Sequence, residues 1–505
     1  MVGKSCDRRG SESLAIVPQG RMRRWFEHST VTTSYQSPFS WRYGRPAMRA
    51  LFSEQTKRRM WRRLWLALAQ AQAKAGLVTD DEVADLRRHV DAVDIEAAHK
   101  IEAEIGHDLM AELRVFASQA KVGGGKLHLG ATSMDIEDNV ETARIKVALS
   151  MLVANIRDVL DAFAVKIEEY ADLPCIAYTH LQAAEPTTLG MRFALWAQDL
   201  LLDYEELRRI AAELPSKGLR GAVGTSASYA ALLKDSSLGP DDIEREVLAA
   251  FDVKALTVTG QTYPRKLDYL VLSAVAGFAA SCSKFAFDVR VLASSPFGEL
   301  GEPFGKKQVG SWAMPFKRNP MLSERINSLA RIPAANAQIA WQNAADNLLE
   351  RTLDDSANRR SIIPESFLAA DELATLAHKV IGGLRVERTA IARNLAKFGP
   401  FAATEAVLMA AAKRGADRQK LHEELRELSM KAWSAVEKDQ PNPLSDLLKK
   451  SEVITTYVKS GDVDRLMKVE DHVGLAAQRA RTLAKKLQSL SESKGASAVL
   501  DIKLT

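Results

Sequence analysis

The feature that most constrains this chain is one uninterrupted apolar stripe. Ile145, Leu149, Leu152, Ile156, Val159, Phe163 and Ile167 follow one another at steps of four or three residues. That spacing sets them on one face of a helix of about six turns or more. A helix that long with no breaker needs partners along its length, so it predicts a bundle or coiled-coil-like core. Trp61, Leu64, Trp65 and Leu68 make a shorter stripe with Gly76 as its stop, and Thr79-Asp-Asp-Glu82 reads as a capping box opening the next helix. Further helical patterns run over 188–214, over 266–293, from Pro320 into the 340s, and from near Pro364. Strand patterns bounded by Asn-Gly or Asp-Gly turns are nearly absent. The expected fold class is all-α, with three helical domains and a central bundle of long helices. The expected divisions are an N-terminal helical domain at 1–132, the bundle at 133–385 and a C-terminal helical domain at 386–505. Within the first, 1–30 is expected to be a flexible extension.

A length of 505 residues fits that division at about 150 per domain. The net charge of +5, from 69 basic and 64 acidic residues, is too small over this length to mark a nucleic-acid binder. Cys6, Cys175 and Cys282 form no CxxC, so neither a disulfide framework nor a thiolate metal site is expected. Gly123-Gly-Gly-Lys126 and Gly301-Glu-Pro-Phe-Gly-Lys306 lack the spacing of a phosphate-binding loop, and there is no HExxH or EF-hand pattern. No metal and no cofactor are expected. The apolar run from Leu270 to Ser283 is shorter than the roughly 18–20 residues of a membrane span and reads as a buried core helix. Leu14–Val17 is too short for a signal peptide core, and Asp7, Glu12 and Glu27 weigh against a transit peptide despite Arg21, Arg23 and Arg24. A cytoplasmic protein with no membrane partner is expected.

Three loops carry polar groups suited to chemistry. Gly310-Ser-Trp-Ala-Met-Pro-Phe-Lys-Arg-Asn-Pro320 holds Ser311, Lys317 and Asn319 in a span stiffened by two prolines. Its plain alternative is a basic connector between helices. Ala177 to Thr188 holds Thr179, His180, Gln182 and Thr188 ahead of a long helix. A single histidine there is either a hydrogen-bonded structural residue or a proton donor suited to neutral pH. Leu127 to Asn139 holds Thr132 and Ser133 just before the longest helix, where they serve as N-caps or bind an anion at the helix N-terminus.

The ordered set Gly-Ala-Thr-Ser at 130–133, Thr-His-Leu-Gln at 179–182 and Gly-Ser-Trp-Ala-Met-Pro-Phe-Lys-Arg-Asn-Pro at 310–320 resembles the fumarase/aspartase superfamily, whose signature loop is written GSSxMPxKxNP. Within it the chain is most similar to the adenylosuccinate lyase family. The likeness rests on Ser37-Pro-Phe-Ser-Trp-Arg-Tyr43, Gly106-His-Asp108, Gly260-Gln-Thr-Tyr263 and Glu350-Arg-Thr-Leu-Asp-Asp-Ser-Ala-Asn-Arg-Arg360, and it spans about residues 35 to 430. It implies β-elimination of fumarate from adenylosuccinate, giving AMP, and from the succinylcarboxamide ribotide of purine biosynthesis, giving the carboxamide ribotide. The partner is then a small anionic nucleotide.

The resemblance also implies roles. Ser311 is the general base and His180 the general acid that protonates the leaving nitrogen. Lys317 stabilises the serine alkoxide and, with Asn319, holds the carboxylates. His107 is the second active-site histidine, binding phosphate or supporting the acid, with Asp108 beside it to orient a ring. Arg42 and Tyr43 match phosphate or ribose contacts, Thr132 and Ser133 carboxylate contacts, and Gln261 a contact to the succinyl group. Thr179 and Gln182 flank the acid as substrate contacts. Arg325, Arg351, Ser356 and Arg360 match further anion contacts, since arginine meets carboxylate or phosphate with a planar fork. The superfamily's homotetramer, with active sites shared between subunits, is implied as well.

One departure stands out: Trp312 occupies the position of the signature's second serine. It bears on how the loop closes and on substrate preference. Two alternatives stay open at this point. One is a sibling lyase acting on argininosuccinate or a carboxymuconate, against which the 351–360 segment argues. The other is a non-catalytic structural protein on the same scaffold, against which Ser311 and His180 argue.

Overall fold

The computed structural model describes residues 35–305, 314 and 316–492. The expected extension at 1–30 lies outside them, as do Ser311 and Trp312. The chain divides into a short unit ending at Tyr43 and a large one beginning at Gly44. In the short unit Ser37 caps a 3-10 turn at Pro38–Ser40, its hydroxyl accepting from the Phe39 N–H at 3.3 Å. The Arg42 guanidinium lies 5.7 Å from the ring centres of both Trp41 and Tyr43.

The helices that carry the large unit are α1 (Glu54–Lys74), α2 (Asp108–Gln119), α3 (Ser133–Glu169), α4 (Leu189–Glu213), α5 (Lys266–Ala293), α6 (Met321–Leu329), α7 (Arg331–Ala345), α8 (Ser356–Gly382), α9 (Arg388–Ala412), α10 (Arg418–Val436) and α11 (Ala476–Glu492). Helix α3 has 37 residues, and all seven stripe residues are at most 3% exposed. It packs against α4, α8 and α11, while α5 packs against α4, α7 and α8. Aromatic contacts knit the centre: Phe285 of α5 meets Phe163 of α3 at 5.2 Å and Trp196 of α4 at 5.3 Å. The start of α4 approaches the end of α3 so closely that a Cβ at Gly190 would lie 2.6 Å from the Ala171 Cα, which is why glycine stands there.

By length and composition α5 and α9 are each apolar enough to cross a membrane. In this fold α5 turns Val271, Val275, Phe278, Cys282 and Phe285 into the bundle, and α9 packs against α10 and a β-hairpin.

Several local expectations hold. The capping box at Thr79 is complete: the Glu82 N–H donates to the Thr79 hydroxyl at 3.3 Å, and the Thr79 N–H to the Glu82 carboxylate at 2.8 Å. Others need correction. The pattern from Pro320 is two helices, α6 and α7, meeting at Ala330. The helix expected from near Pro364 begins at Ser356 and carries Pro364 inside it. Buried ion pairs from Asp355 and Arg359 hold its first turn, which offsets the one backbone bond that proline removes.

The largest correction is the segment read as a loop before α4. It is an antiparallel hairpin of β1 (Pro174–Thr179) and β2 (Gln182–Thr188). Its two turn residues, His180 and Leu181, have φ of 54° and 61°. Such a two-residue turn ordinarily takes Asn-Gly, so its usual sequence signal is missing. A second small ladder pairs β3 (Leu300–Gly301) with β4 (Arg385–Val386).

Buried charge shapes the N-terminal part of this unit. Glu112 on α2 is wholly buried and accepts from Arg58 at 3.1 Å and from Arg62 at 2.5 Å, both on α1. Arg62 also donates to the His89 carbonyl at 2.9 Å and to Gln119 at 2.8 Å. Removing one member of such a group strands the others' charge. Glu112→Gln is expected to lower unfolding free energy by about 3–5 kcal/mol, read from urea denaturation. Asp203 on α4 is a different case. Burial pushes its carboxyl up to about 6, and one oxygen has no hydrogen-bond partner. A folded-state value above the unfolded one means ionisation opposes folding, so the penalty grows from about pH 4 to pH 6 and persists above. Asp203→Asn should raise the melting temperature at pH 7.5 and leave it unchanged at pH 4.

Candidate active site

The N-terminus of α3 gathers one set of polar groups. Thr132 is its N-cap, and the Asp135 carboxylate accepts from the Thr132 N–H at 3.0 Å. Asp135 is buried and also takes an ion pair from Lys217 and N–H bonds from Arg220 at 3.0 Å and Gly221 at 3.1 Å. Three of these contacts pin the start of the helix to the 217–221 loop, so Thr132 and Ser133 sit on fixed backbone. His107, the N-cap of α2, accepts from the Met110 N–H through Nδ1 at 3.5 Å. Its other ring nitrogen, Nε2, lies 3.3 Å from the Ser133 hydroxyl.

Asp108 follows, and its carboxylate accepts from Arg360 at 2.9 Å. Burial works against its ionisation, but the Arg360 guanidinium, Lys57 and the Leu109 N–H outweigh it and hold the carboxyl below the usual range. Arg351, Ser356 and Arg360 line a cavity of about 260 Å³ together with Lys57, Asp108 and Glu137. Arg351 is anchored on Asp355 at 3.1 Å.

A buried ion network forms the floor of this cavity. Arg265 bridges Asp138 on α3, at 3.0 Å, and Asp355 beside α8, at 2.5 Å. Arg359 on α8 donates to Asp268 on α5 at 2.7 Å and to the Tyr263 hydroxyl at 2.5 Å. Tyr263 closes the circuit by donating its N–H to Asp138 at 2.9 Å and its hydroxyl to Asp268 at 2.6 Å. The same segment carries Gln261, whose N–H donates to the Glu350 carbonyl at 3.1 Å. Gly260 makes that approach possible, since a Cβ there would lie 2.9 Å from the same oxygen.

The structure therefore brings His107, Asp108, Thr132, Ser133, Gln261, Arg351, Ser356 and Arg360 to one region. Asp138, Arg265, Asp268, Asp355 and Arg359 were missed in the sequence, because nothing local marks a charge that will be paired across three helices. Glu137 was missed too. It faces the cavity one turn past Ser133, and burial with Asp108 and Asp138 beside it pushes its carboxyl up to about 8.

Thr179, His180 and Gln182 lie elsewhere. Thr179 and Gln182 pair across the hairpin, and exposed His180 and Leu181 form its tip. The hairpin follows the far end of α3. A helix of 37 residues is about 55 Å long, and the eleven residues from Tyr170 to His180 extend at most about 40 Å. Within one chain the backbones of His180 and Ser133 are thus at least about 15 Å apart.

Beneath the hairpin, Tyr178 and Arg192 donate to the buried Glu299. Past β3, Glu302 accepts from the N–H groups of Leu322 at 3.0 Å and Ser323 at 2.6 Å, tying the stretch before the signature loop to the helix after it. Ser311 itself is outside the described residues. Lys317 is exposed, Asn319 and Arg325 are half-buried, and none of the three lines the cavity at α3. Arg42 and Tyr43 belong to the short first unit.

Comparison with known proteins gives the arrangement a family. The family described as Lyase matches residues 42–332, and the one described as Adenylosuccinate lyase C-terminus matches 400–482. The chain is 38% identical over 460 residues to the adenylosuccinate lyase of Saccharomyces cerevisiae, covering 90% of this chain and 94% of that one. It is 36% identical over 460 residues to the adenylosuccinate lyase of Schizosaccharomyces pombe, with the same coverage. The fold matches the crystal structure of a fumarate lyase from Mesorhizobium sp. BNC1 with a TM-score of 0.77 at 24% identity, over 90% of this chain and 99% of that one. The chain belongs to the lyase family and, within it, to the adenylosuccinate lyases.

Proposed function

We propose that this protein catalyses the β-elimination of fumarate from adenylosuccinate, giving AMP, and from the succinylcarboxamide ribotide, giving the carboxamide ribotide. The observation that carries this reading is the cavity at the α3 N-terminus. There Arg351, Ser356 and Arg360 line one wall, and His107 and Ser133 stand hydrogen-bonded close by. Such a site suits a guest with a phosphate and two carboxylates: arginine forks, a helix N-terminus and fixed hydroxyls all favour anions.

The reaction removes a proton from the carbon β to the nitrogen and next to a carboxylate. The resulting aci-carboxylate carries about two negative charges and needs oriented donors and cations. In our reading Ser311 takes that proton, its alkoxide stabilised by the loop's N–H groups and Lys317, while Asn319 and Lys317 hold the succinyl carboxylates. The C–N bond then breaks with its electron pair going to nitrogen, and the new C=C bond completes fumarate. His180 delivers a proton to that nitrogen. His107, whose Nε2 stands 3.3 Å from the Ser133 hydroxyl, is placed to bind phosphate or to support the acid.

The separation of His180 from Ser133 supports active sites assembled from at least two chains. Exposed apolar side chains along the bundle, including Val165, Leu195, Leu202, Leu270 and Phe287, offer surfaces for such contacts. We therefore favour the homotetramer. Cys175 and Cys282 are buried free thiols, in keeping with a reducing cytoplasm.

The direct test supplies adenylosuccinate to purified protein and follows the ultraviolet change to AMP. Turnover is expected; its absence together with activity on argininosuccinate reverses the substrate. Ser311→Ala should lower kcat by about 10² to 10⁴-fold with substrate still bound, and near-normal turnover would remove Ser311 as base. His180→Gln should cost a similar factor with an unchanged melting temperature, because the ring sits exposed at a turn. A collapse in melting temperature would make that histidine structural.

A further inference from the structure

Glu299 is a carboxylate with no solvent exposure that the elimination step does not use. Three donors converge on it from three elements. The Tyr178 hydroxyl of β1 lies 2.9 Å from Oε1, the Asn394 amide of α9 lies 2.9 Å from Oε1, and Arg192 of α4 lies 3.0 Å from Oε2. Its backbone is held as well: its N–H donates to the Leu292 carbonyl and its carbonyl accepts from the Glu387 N–H, both at 2.9 Å. A buried carboxylate with every contact satisfied is a rigid fixture, because moving it would expose several polar groups to a site without water.

What this fixture grips is the root of the His180 turn. Tyr178 lies two residues before His180, and its ring packs edge-on against Phe297 at 4.9 Å. Arg192 also donates to the Ile176 carbonyl at 2.5 Å, so β1 is held at two places just ahead of the tip. The tip needs this support. Both His180 and Leu181 have left-handed φ, which for residues other than glycine costs about 1–3 kcal/mol each and persists only where the surroundings impose it. The ladder beside it pairs Tyr178 with Ala183 and Thr179 with Gln182, but its register slips between Ile176 and Tyr178, so these last two pairs depend on what holds Tyr178.

We propose that Glu299 is a positioning residue for His180: through Tyr178 and Arg192 it fixes the hairpin so that the imidazole meets the leaving nitrogen at the required angle. The inference rests on His180 as the proton donor. Tyr178→Phe removes the hydroxyl and keeps the ring, and it is measured in the wild-type and His180→Gln backgrounds. Loss of aim typically costs about 10- to 100-fold. Tyr178→Phe alone should lower kcat by at least about tenfold, with KM within about twofold and a melting temperature lowered by only a few degrees, since Asn394 still donates to the same oxygen. In the His180→Gln background the further loss should be less than about twofold, because both changes act on one proton transfer. A kcat near wild type for Tyr178→Phe, or an equal loss in both backgrounds, overturns the proposal. Normal turnover by His180→Gln alone would instead overturn the assignment of the acid. Glu299→Gln keeps the volume and should follow the same pattern; if it fails to fold, Tyr178→Phe decides.

Discussion

The length of α3 sets the terms for everything else. An apolar face buried without interruption from Ile145 to Ile167 runs within one unbroken helix of 37 residues, about 55 Å long. Groups attached to its first turn and groups attached to the hairpin after its last turn cannot meet in one chain. Two separate groups of polar side chains result. One holds arginines, hydroxyls and His107 around a cavity; the other presents His180 on a narrow ribbon. The bundle contributes little chemistry itself, but it fixes where each group faces.

The two groups are secured by different physics. At the α3 N-terminus, Asp138, Arg265, Asp268, Asp355 and Arg359 are paired across α3, α5 and α8 with distances of 2.5–3.0 Å. Desolvating so many charges brings little net stability, and replacing them with apolar groups is often no worse for folding. What they provide is a floor with one allowed arrangement. Arg351 is held by Asp355 and Arg360 by Asp108, so each guanidinium keeps a fixed heading at the cavity. At the hairpin, the fixture is one carboxylate with three donors, and the element it holds is short.

Much of this was legible in the sequence, and the exceptions are instructive. The stripe from Ile145 to Ile167 reports a helix directly because its period is local. The Thr79 capping box is a four-residue pattern with one geometric meaning. His107, Ser133, Arg351 and Arg360 were recognisable through motifs, and the structure gathers them. The hairpin was invisible because its turn is His-Leu, two residues that do not favour left-handed backbone. Pro364 pointed to a helix start by its usual preference, while the true start is set by ion pairs with distant partners. Glu299 and Glu302 carried no sign at all: a carboxylate three residues from another reads as surface until the chain folds over both.

The His180–Leu181 turn has a consequence for protein engineering. Automated stabilisation schemes favour substitutions that relieve unfavourable backbone, and here they would install asparagine and glycine. The ribbon would become sturdier and its single ionisable tip group would vanish. Under the role proposed for His180, a more relaxed variant would be a poorer enzyme, and melting behaviour would be a misleading guide to improvement at these two positions.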